Sequence, residues 1–125
     1  TKTTYYWGEQ IDGKYLWYKE NSSERNHPVA EKIPNSFGLY DMLGNVWEWC
    51  KDNWQNNYET LPLDGSAFLD SSSLRVRRGG SRWVAGENCR CAYRRARQES
   101  STRSCLGFRL VKNFKKILWE TRKKL

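Results

Sequence analysis

Short apolar and aromatic stretches alternate with turn signals along most of the chain, for example IDGK, ENSSERNHP and IPNSFG. Apolar and polar residues alternate in LRVRRGGS, in RCAYR and in GFRLV, so we predict a strand at each of these three places. The first strand breaks at Gly79-Gly80, as a strand that enters a bulge or a tight bend does. This spacing predicts an α+β domain that is rich in loops and has short antiparallel strands.

The C-terminal stretch KNFKKILWETRKKL, residues 112–125, has a different pattern. Phe114, Ile117 and Leu118 fall at i, i+3 and i+4 and are surrounded by lysine and arginine, which predicts a basic amphipathic helix. We expect this helix to pack its apolar stripe onto its own domain, with contact to a membrane or a partner as the alternative. Residues 1–111 would form the domain itself.

The charge is distributed unevenly along the 125 residues, which are enough for one domain with a modest core. Residues 1–70 carry 6 Lys/Arg and 11 Asp/Glu, which leaves 16 of the 22 basic residues and 3 of the 14 acidic residues for 71–125. A basic half can signal nucleic acid or an anionic membrane surface. No nucleic-acid-binding motif accompanies the charge, so we expect no nucleic-acid partner and expect much of the arginine to pair with acids of the first half.

Neither end of the chain shows a targeting signal. No signal peptide opens it, and no apolar run reaches the length that spans a membrane. The opening TKTTYYWGEQ resembles the interior of a domain. We therefore expect an N-terminal part of the domain to lie outside this chain.

The four cysteines are Cys50, Cys89, Cys91 and Cys105, and His27 is the only histidine. This inventory does not fit a zinc site. On a strand, Cys89 and Cys91 would point to opposite faces and would not share a partner. We expect reduced, partly buried thiols; the alternative is a disulfide, which would involve Cys50 and Cys89.

The segment NSFGLYDMLGNVWEWCKDNW combines turn glycines, three tryptophans that we expect in the core (Trp47, Trp49, Trp54) and two acids. Asp41 and Glu48 flank a Gly44-Asn45 turn whose backbone carbonyls would be free. Two carboxylates and turn carbonyls are hard oxygen ligands that suit calcium. The EF-hand pattern is absent, so from spacing alone a surface acid and a helix-cap acid are the preferred explanation of the pair.

Several segments occur together, in the order in which they stand in one known family: YYWGE, HPVAEKIPNSFGLYDMLGNVWEW, RVRRGGS, CRCAYR and LGFRLV. With them the chain resembles the formylglycine-generating enzyme, or sulfatase-modifying factor, family over about residues 5–111. The resemblance implies a variant of the C-type-lectin fold with little regular structure. It matches the C-terminal part of the family domain.

The resemblance also implies one structural calcium ion in the GLYDMLGNVWEW segment. Its ligands would be the side chains of Asp41 and Glu48 and the backbone carbonyls of Gly44 and Val46. The family's second calcium site has no acid-rich match near YLWYKENSS, so we expect no second ion.

The oxidases of this family use two cysteines that bind copper, at the third and eighth positions after GGS. Here the eighth position is Cys89 and the third is Val84. Valine cannot ligate copper, whereas soft thiolates suit Cu(I). We therefore expect no copper and no enzyme activity. The sulfoxide-synthase branch needs several histidine ligands, which one histidine cannot supply.

The stretch between Gly79 and Arg109 resembles the variable proteins of diversity-generating retroelements, which use the same scaffold in phages, bacteria and archaea. In them a reverse transcriptase copies a template repeat with errors at adenines. The framing positions match here: Gly79, Gly80, Ser81, Arg90, Ala92, Arg94, Arg103, Gly107, Phe108 and Arg109. Only Asn88 remains of the asparagines that undiversified windows contain.

The resemblance therefore places a binding surface at about residues 82–106. The residues expected on it are Arg82, Trp83, Val84, Gly86, Tyr93, Arg95, Arg97, Gln98, Thr102, Ser104 and Cys105. Tryptophan, tyrosine and arginine dominate binding hot spots, and the arginines favour a protein or other macromolecular ligand of anionic character. The alternatives are a generic non-catalytic domain of the family, whose window is simply under weak constraint, and the copper oxidase.

Overall fold

The computed structural model describes residues 2–111 and consists mainly of loops around one small sheet. Its strands are β1 (Trp47–Asn53), β2 (Leu74–Arg78), β3 (Arg94–Gln98) and β4 (Leu106–Gly107). One short 3-10 helix spans Gly86–Cys89, and residues 2–111 contain no α-helix. The helical half of the α+β prediction therefore has no counterpart there, and the predicted C-terminal helix lies outside the described residues. No helix in this part of the chain has the length and apolar character needed to cross a bilayer.

The four strands are arranged in the order β3-β2-β1-β4. β2 pairs antiparallel with both β1 and β3, but β4 runs parallel to β1. The prediction of antiparallel strands alone is therefore wrong at this edge. A parallel partner needs a long crossover, and the chain from β1 to β4 passes through β2 and β3 before it returns.

The strand predictions have mixed outcomes. LRVRRGGS contains β2 and then bends at two glycines, as expected. RCAYR is mostly a turn, because the Tyr93 amide donates to the Arg90 carbonyl (3.0 Å) and β3 begins only at Arg94. GFRLV contributes only Gly107 to a strand. The longest strand, β1, follows no simple alternation and was not predicted.

The pairing register assigns each side chain of β2 and β3 to a face of the sheet. Arg77 lies opposite Trp49 on β1 and opposite Arg95 on β3, and Arg75 lies opposite Arg97. Paired residues share a face, and neighbouring residues along a strand point to opposite faces. We call the face that carries these arginines the arginine face. The other face carries the buried Val76, which contacts a pocket formed with the long loop after β1.

The main hydrophobic core lies beside the sheet, among the loops. Its buried members are Tyr5, Leu16, Leu43 and Cys89, and the partly buried side chains packed on them are Tyr6, Trp7, Tyr18, Val84 and Cys91. Cys89 ends the 3-10 helix and Cys91 lies in a turn, so the prediction that the two would face opposite sides of a strand is wrong. All four cysteines are free thiols. Of the three tryptophans expected in the core, Trp47 is buried, whereas Trp49 and Trp54 are half-buried.

The bend after β2 brings the chain against this core. Gly79 and Gly80 adopt φ values of 90° and 75°, which few residues other than glycine tolerate. A β-carbon on Gly80 would lie 2.4 Å from the sulfur of Cys89. The double glycine therefore fixes both the direction of the chain and the close contact between the bend and Cys89.

Candidate functional site

The strand β3 separates the window residues into two sets. Arg95 and Arg97 alternate along β3 and lie on the arginine face, opposite Arg77 and Arg75. Tyr93 directly precedes the strand in the same alternation, and its ring lies 6.0 Å from that of Trp47. The structure thus brings three of the predicted binding residues together on one side of the sheet.

The framing residue Arg94 lies on the opposite face. Its guanidinium stacks over the rings of Trp54 (4.3 Å) and Tyr58 (4.4 Å) and donates to the Asn57 carbonyl (3.3 Å). Gln98 lies four positions after Arg94 on β3 and therefore points to the same face as Arg94. Its side-chain oxygen accepts a hydrogen bond from the Ser73 hydroxyl (2.6 Å). Gln98, although predicted as a binding residue, therefore lies away from Arg95 and Arg97.

Arg82 and Gly86 are buried, so the expectation that they lie on an exposed surface is wrong. The guanidinium of Arg82 donates to the Glu24 carbonyl (3.1 Å), to the Asn26 side chain, and to the carbonyl (3.2 Å) and hydroxyl (3.0 Å) of Ser104. Gly86 packs against Ile11, and its carbonyl accepts from the Tyr5 hydroxyl (3.1 Å). These contacts hold distant loops together and leave both residues covered.

The remaining window residues differ in exposure. Trp83 is 46% exposed, and the Arg82 guanidinium lies 5.2 Å from the centre of its ring. Thr102 and Ser104 are exposed, although Ser104 is held by Arg82. Val84 is half-buried against the core. Cys105 is also half-buried, and its carbonyl accepts a hydrogen bond from the Trp47 amide (2.8 Å). Gln98 and Ser104 are exposed but hydrogen-bonded, so the polar and aromatic window side chains that make no side-chain hydrogen bond in the described residues are those of Trp83, Tyr93, Arg95, Arg97 and Thr102.

Arg77 belongs to this region, although the sequence analysis did not select it as a binding residue. It is only 7% exposed, and its guanidinium lies 4.5 Å from the centre of the Trp47 ring. Burial, followed by the positive charges of Arg97 and Arg95, lowers the pKa of Arg77. The alternation of LRVRR, with Val76 on the covered face, is the signal that could have placed Arg77 beside the window residues.

The four predicted calcium ligands line a single pocket of about 460 Å³. Asp41 and Gly44 lie in the loop before β1, and Val46 directly precedes the strand that carries Glu48. Residues 2–111 contain no cluster of three or more His, Cys, Asp or Glu side chains placed to hold a metal. A calcium site here would therefore depend on two carboxylates supplemented by backbone carbonyls.

The buried carboxylate of Asp41 has one oxygen to spare. Its Oδ2 accepts from the Ala30 amide (2.8 Å), whereas its Oδ1 is buried without a hydrogen-bond partner in the described residues. Glu48 is bound through Oε2 to Arg109 Nε (2.6 Å), and Arg109 also donates to the Asp41 carbonyl (2.7 Å). An orphaned carboxylate oxygen is costly unless a cation or a donor satisfies it. The oxygen donors present fit the chemistry of a calcium site, and Arg109, which contacts Glu48 and Asp41, would compete there as a cation.

Cys89 is the one cysteine that matches the oxidase pattern, and it lies in the hydrophobic core. Cys89 is fully buried, and burial raises the pKa of its thiol to about 12. Val84, at the position of the first catalytic cysteine, packs against the core cluster that contains Cys89. The thiolate is the form that binds metals, and this environment opposes it.

The family follows from comparison with known proteins. A profile of the sulfatase-modifying factor enzyme 1-like domain matches residues 1–114. The chain belongs to this family. Formylglycine-generating enzyme from Mus musculus is 36% identical over 93 residues, which cover 72% of this chain and 25% of that protein. Serine/threonine-protein kinase Pkn1 from Chlamydia trachomatis is 35% identical over 112 residues, 86% of this chain and 18% of the kinase.

Two solved structures of other proteins are also similar to the chain. Variable protein 1 of Treponema denticola has a TM-score of 0.66 and 37% identity, over 76% of this chain and 34% of that protein. PvdO from Pseudomonas aeruginosa has a TM-score of 0.74 and 32% identity, over 80% of this chain and 40% of PvdO. The chain thus spans less than half the length of these family members. The proteins similar to this chain include some named as enzymes and one named as variable, so similarity alone does not assign an activity.

Proposed function

We propose that this chain is the C-terminal part of a non-catalytic ligand-binding protein, a variable protein of a diversity-generating retroelement with a C-type-lectin-like fold. Its binding surface would be the arginine face around Tyr93, Arg95 and Arg97, extended by Trp83 and Thr102. The ligand would be a protein or another macromolecule with anionic character. The similarity to a variable protein from Treponema denticola supports this choice within the family.

The observation that carries the proposal is the segregation of residues along β3. Arg95 and Arg97, which vary freely according to the resemblance, lie on the arginine face. Arg94, a framing residue, is stacked between Trp54 and Tyr58 on the other face. A strand built in this way can change its outward side chains without changing the contacts that hold it. Such a division is what a diversified binding surface needs, because mutation must not cost the fold.

The enzymatic alternative lacks a competent pair of thiols. A copper-dependent oxidase of this family needs two thiolates, and Val84 supplies a hydrocarbon at one of the two positions. The other position is Cys89, whose burial favours the neutral thiol at physiological pH. No observation on the described residues favours catalysis over binding.

Calcium would have a structural role in the proposed protein. Asp41 and Glu48 would provide the charged ligands, and the carbonyls of Gly44 and Val46 would complete the set. The ion would supply positive charge to the unpartnered Asp41 Oδ1 and would tie the loop before β1 to the strand. Arg109 would remain close to Glu48 and Asp41, at the edge of the pocket.

We expect calcium to raise the melting temperature of the protein and EDTA to remove the increase. Binding to the folded state alone stabilises it by about 2.7 kcal/mol when the ion is at a hundredfold excess over its Kd. The variant Asp41→Asn should lose most of this response, whereas Glu20→Gln, which removes one exposed carboxylate elsewhere, should keep it. Equal responses of the two variants in differential scanning fluorimetry would place the calcium effect outside this pocket.

The retroelement origin is tested in the encoding DNA. We expect a near-identical repeat downstream of the gene that differs only at adenines, next to a reverse transcriptase gene. Sequencing this locus from independent isolates should show substitutions at the codons of Tyr93, Arg95, Arg97 and Thr102. Absence of a repeat would reduce the proposal to a generic binding domain of the family.

The oxidase is tested directly with the protein. We expect titration with copper(I) and a cysteine-containing peptide to give neither stoichiometric copper at Cys89 nor an aldehyde product by mass spectrometry. Both together would overturn the non-catalytic assignment. A Cys89→Ser variant serves as the control that links any copper to this thiol.

A further inference from the structure

Three arginines of the arginine face have no counterion among residues 2–111. Arg77 and Arg95 are direct partners across β2 and β3, and Arg97 follows Arg95 on the same face. Burial lowers the pKa of Arg77, and the positive charges of the nearby Arg97 and Arg95 lower it further. None of the three makes an ion pair within residues 2–111.

Other arginines of the sheet region are neutralised. Arg75, next along the same face, contacts Glu99 (3.0 Å) and donates to the Lys51 carbonyl (2.9 Å). Arg109 binds Glu48 at 2.6 Å. Within the described part of the chain, the lack of an acidic partner is therefore a local property of Arg77, Arg95 and Arg97.

Two of the guanidinium groups also have unsatisfied donors. Nε of Arg77 and Nε of Arg97 are buried and have no hydrogen-bond partner in the described part of the chain. Arg77 is only 7% exposed, and its guanidinium lies 4.5 Å from the centre of the Trp47 ring. A buried, charged donor without an acceptor is strongly unfavourable, and such groups are normally paired. Leaving these two donors unpaired therefore lowers the stability of the free protein.

We propose that Arg77, Arg95 and Arg97 form a subsite for a dianionic tetrahedral oxyanion, the phosphate monoester group of the ligand. The inference deepens the proposed function, since it assigns a chemical group to the ligand of the same face. Guanidinium groups present planar, rigid sets of donors that match phosphate oxygens, often in pairs. A phosphate monoester carries a charge between about −1.5 and −2 at pH 7, which balances three adjacent cations better than a single carboxylate does.

The subsite divides into fixed and variable parts. Arg77 lies outside the variable window and is fixed over Trp47, so it would provide a constant anchor. Arg95 and Arg97 lie inside the window and would supply the remaining donors in this particular chain. Members of the same lineage with other residues at these two positions should lose affinity for phosphate while keeping the fold.

The test is a titration of the whole chain with inorganic phosphate at constant ionic strength. Arginine Nε–Hε signals in two-dimensional NMR spectra report directly on the two unpartnered donors, and isothermal titration calorimetry reports the affinity. We expect the Arg77 and Arg97 signals to shift in a saturable manner. Sulfate should bind as a second dianion, and acetate should bind at least tenfold more weakly than phosphate. Equal affinity for acetate and phosphate would overturn the assignment of a dianion.

Charge-matched variants separate the subsite from general attraction to a basic protein. We expect Arg97→Gln to weaken phosphate binding at least tenfold and Lys14→Gln, which removes an exposed cation outside both the sheet and the variable window, to change it less than twofold. We also expect Arg97→Gln to melt at the same temperature as the unaltered protein or higher in phosphate-free buffer, because it removes repulsion. Similar losses in both variants would show that phosphate binding is nonspecific and would overturn the proposal.

Glu120, the only acid in the sequence beyond residue 111, provides the last control. If phosphate binds only to the Glu120→Gln variant, an acceptor within the chain fills the cluster and the proposal fails. These outcomes are independent of the proposed function. If the locus is diversified but phosphate does not bind, the variable-protein proposal stands and only the subsite proposal fails. If phosphate binds in a saturable manner but no diversified locus exists, the subsite proposal stands and the variable-protein proposal fails.

Discussion

Replacing Gly44 by alanine is expected to unfold most of the protein under conditions in which the unaltered chain is folded. Gly44 has a φ of 82°, and a β-carbon would lie 2.3 Å from the Trp17 carbonyl oxygen and 2.9 Å from its amide nitrogen. Both obstacles are backbone atoms, which no rotamer change can move. The backbone here also makes two hydrogen bonds: the Gly44 amide donates to the Gly79 carbonyl in the bend after β2 (2.8 Å), and the Asn45 amide donates to the Trp17 carbonyl (2.7 Å).

The expected loss is about 4 kcal/mol or more, since strain at a left-handed residue is added to a steric overlap and broken hydrogen bonds. A domain of this size has a total stability of roughly 5–15 kcal/mol, so the loss would take from about a quarter to most of it and would shift the urea midpoint accordingly. Urea denaturation followed by tryptophan fluorescence, in EDTA to exclude calcium effects, measures the difference.

Gly65→Ala is the matched control. Gly65 has a φ of 78°, but nothing lies within 4 Å of the position of its β-carbon. Alanine there carries only the backbone penalty of about 1–2 kcal/mol. Equal losses in the two variants would show that the contact between Gly44 and Trp17 contributes nothing beyond backbone strain, which would contradict the packing described above.

The strands show which parts of the fold the sequence pattern can predict. The segment containing β2 was found because its alternation ends at Gly79-Gly80, a local signal for a bend. β3 was predicted too early, because its own segment RRARQ contains four polar residues and one alanine, so no local alternation marks its start. The start is set by the pairing of Arg94 with Arg78, a contact between distant parts of the chain.

The two other strands show the limits of alternation more clearly. β1 reads WEWCKDN, in which polar residues follow one another, so its assignment depends on β2 and β4 lying on either side. GFRLV alternates well, yet Leu110 and Val111 are 90% and 86% exposed within the described residues. Apolar alternation describes the side chains of a segment and does not specify which neighbour covers them.

The candidate sites divide in the same way. Asp41, Gly44, Val46 and Glu48 lie within eight consecutive positions, so the family resemblance could place them in one pocket, and they line one. Arg109, the cation that binds Glu48, is 61 positions away and could not be inferred from spacing. The arginine cluster likewise depends on the register between β2 and β3, which aligns Arg77 with a residue of the variable window.

Arg82→Met is expected to destabilise the protein by about 3 kcal/mol, although the resemblance assigns Arg82 to the freely varying set. Its guanidinium donates four hydrogen bonds to Glu24, Asn26 and Ser104, which lie on two loops separated by more than seventy positions. Methionine keeps the length of the side chain but removes every donor. Hydrogen bonds from a charged group contribute roughly 1.5–3 kcal/mol each when broken singly, and buried acceptors left behind add to the loss.

Arg103→Met, in the same window, is the matched variant with the opposite expectation for stability. The resemblance assigns Arg103 to the frame, yet its side chain is exposed and makes no hydrogen bond or ion pair with residues 2–111. We expect this variant to change the free energy of unfolding by less than about 0.5 kcal/mol, as surface substitutions usually do. If instead Arg103→Met unfolds the chain and Arg82→Met does not, the distinction between frame and binding surface follows the family pattern rather than burial. Under the geometry described here, burial decides it, and diversification at Arg82 would be limited to residues that can hold the two loops together.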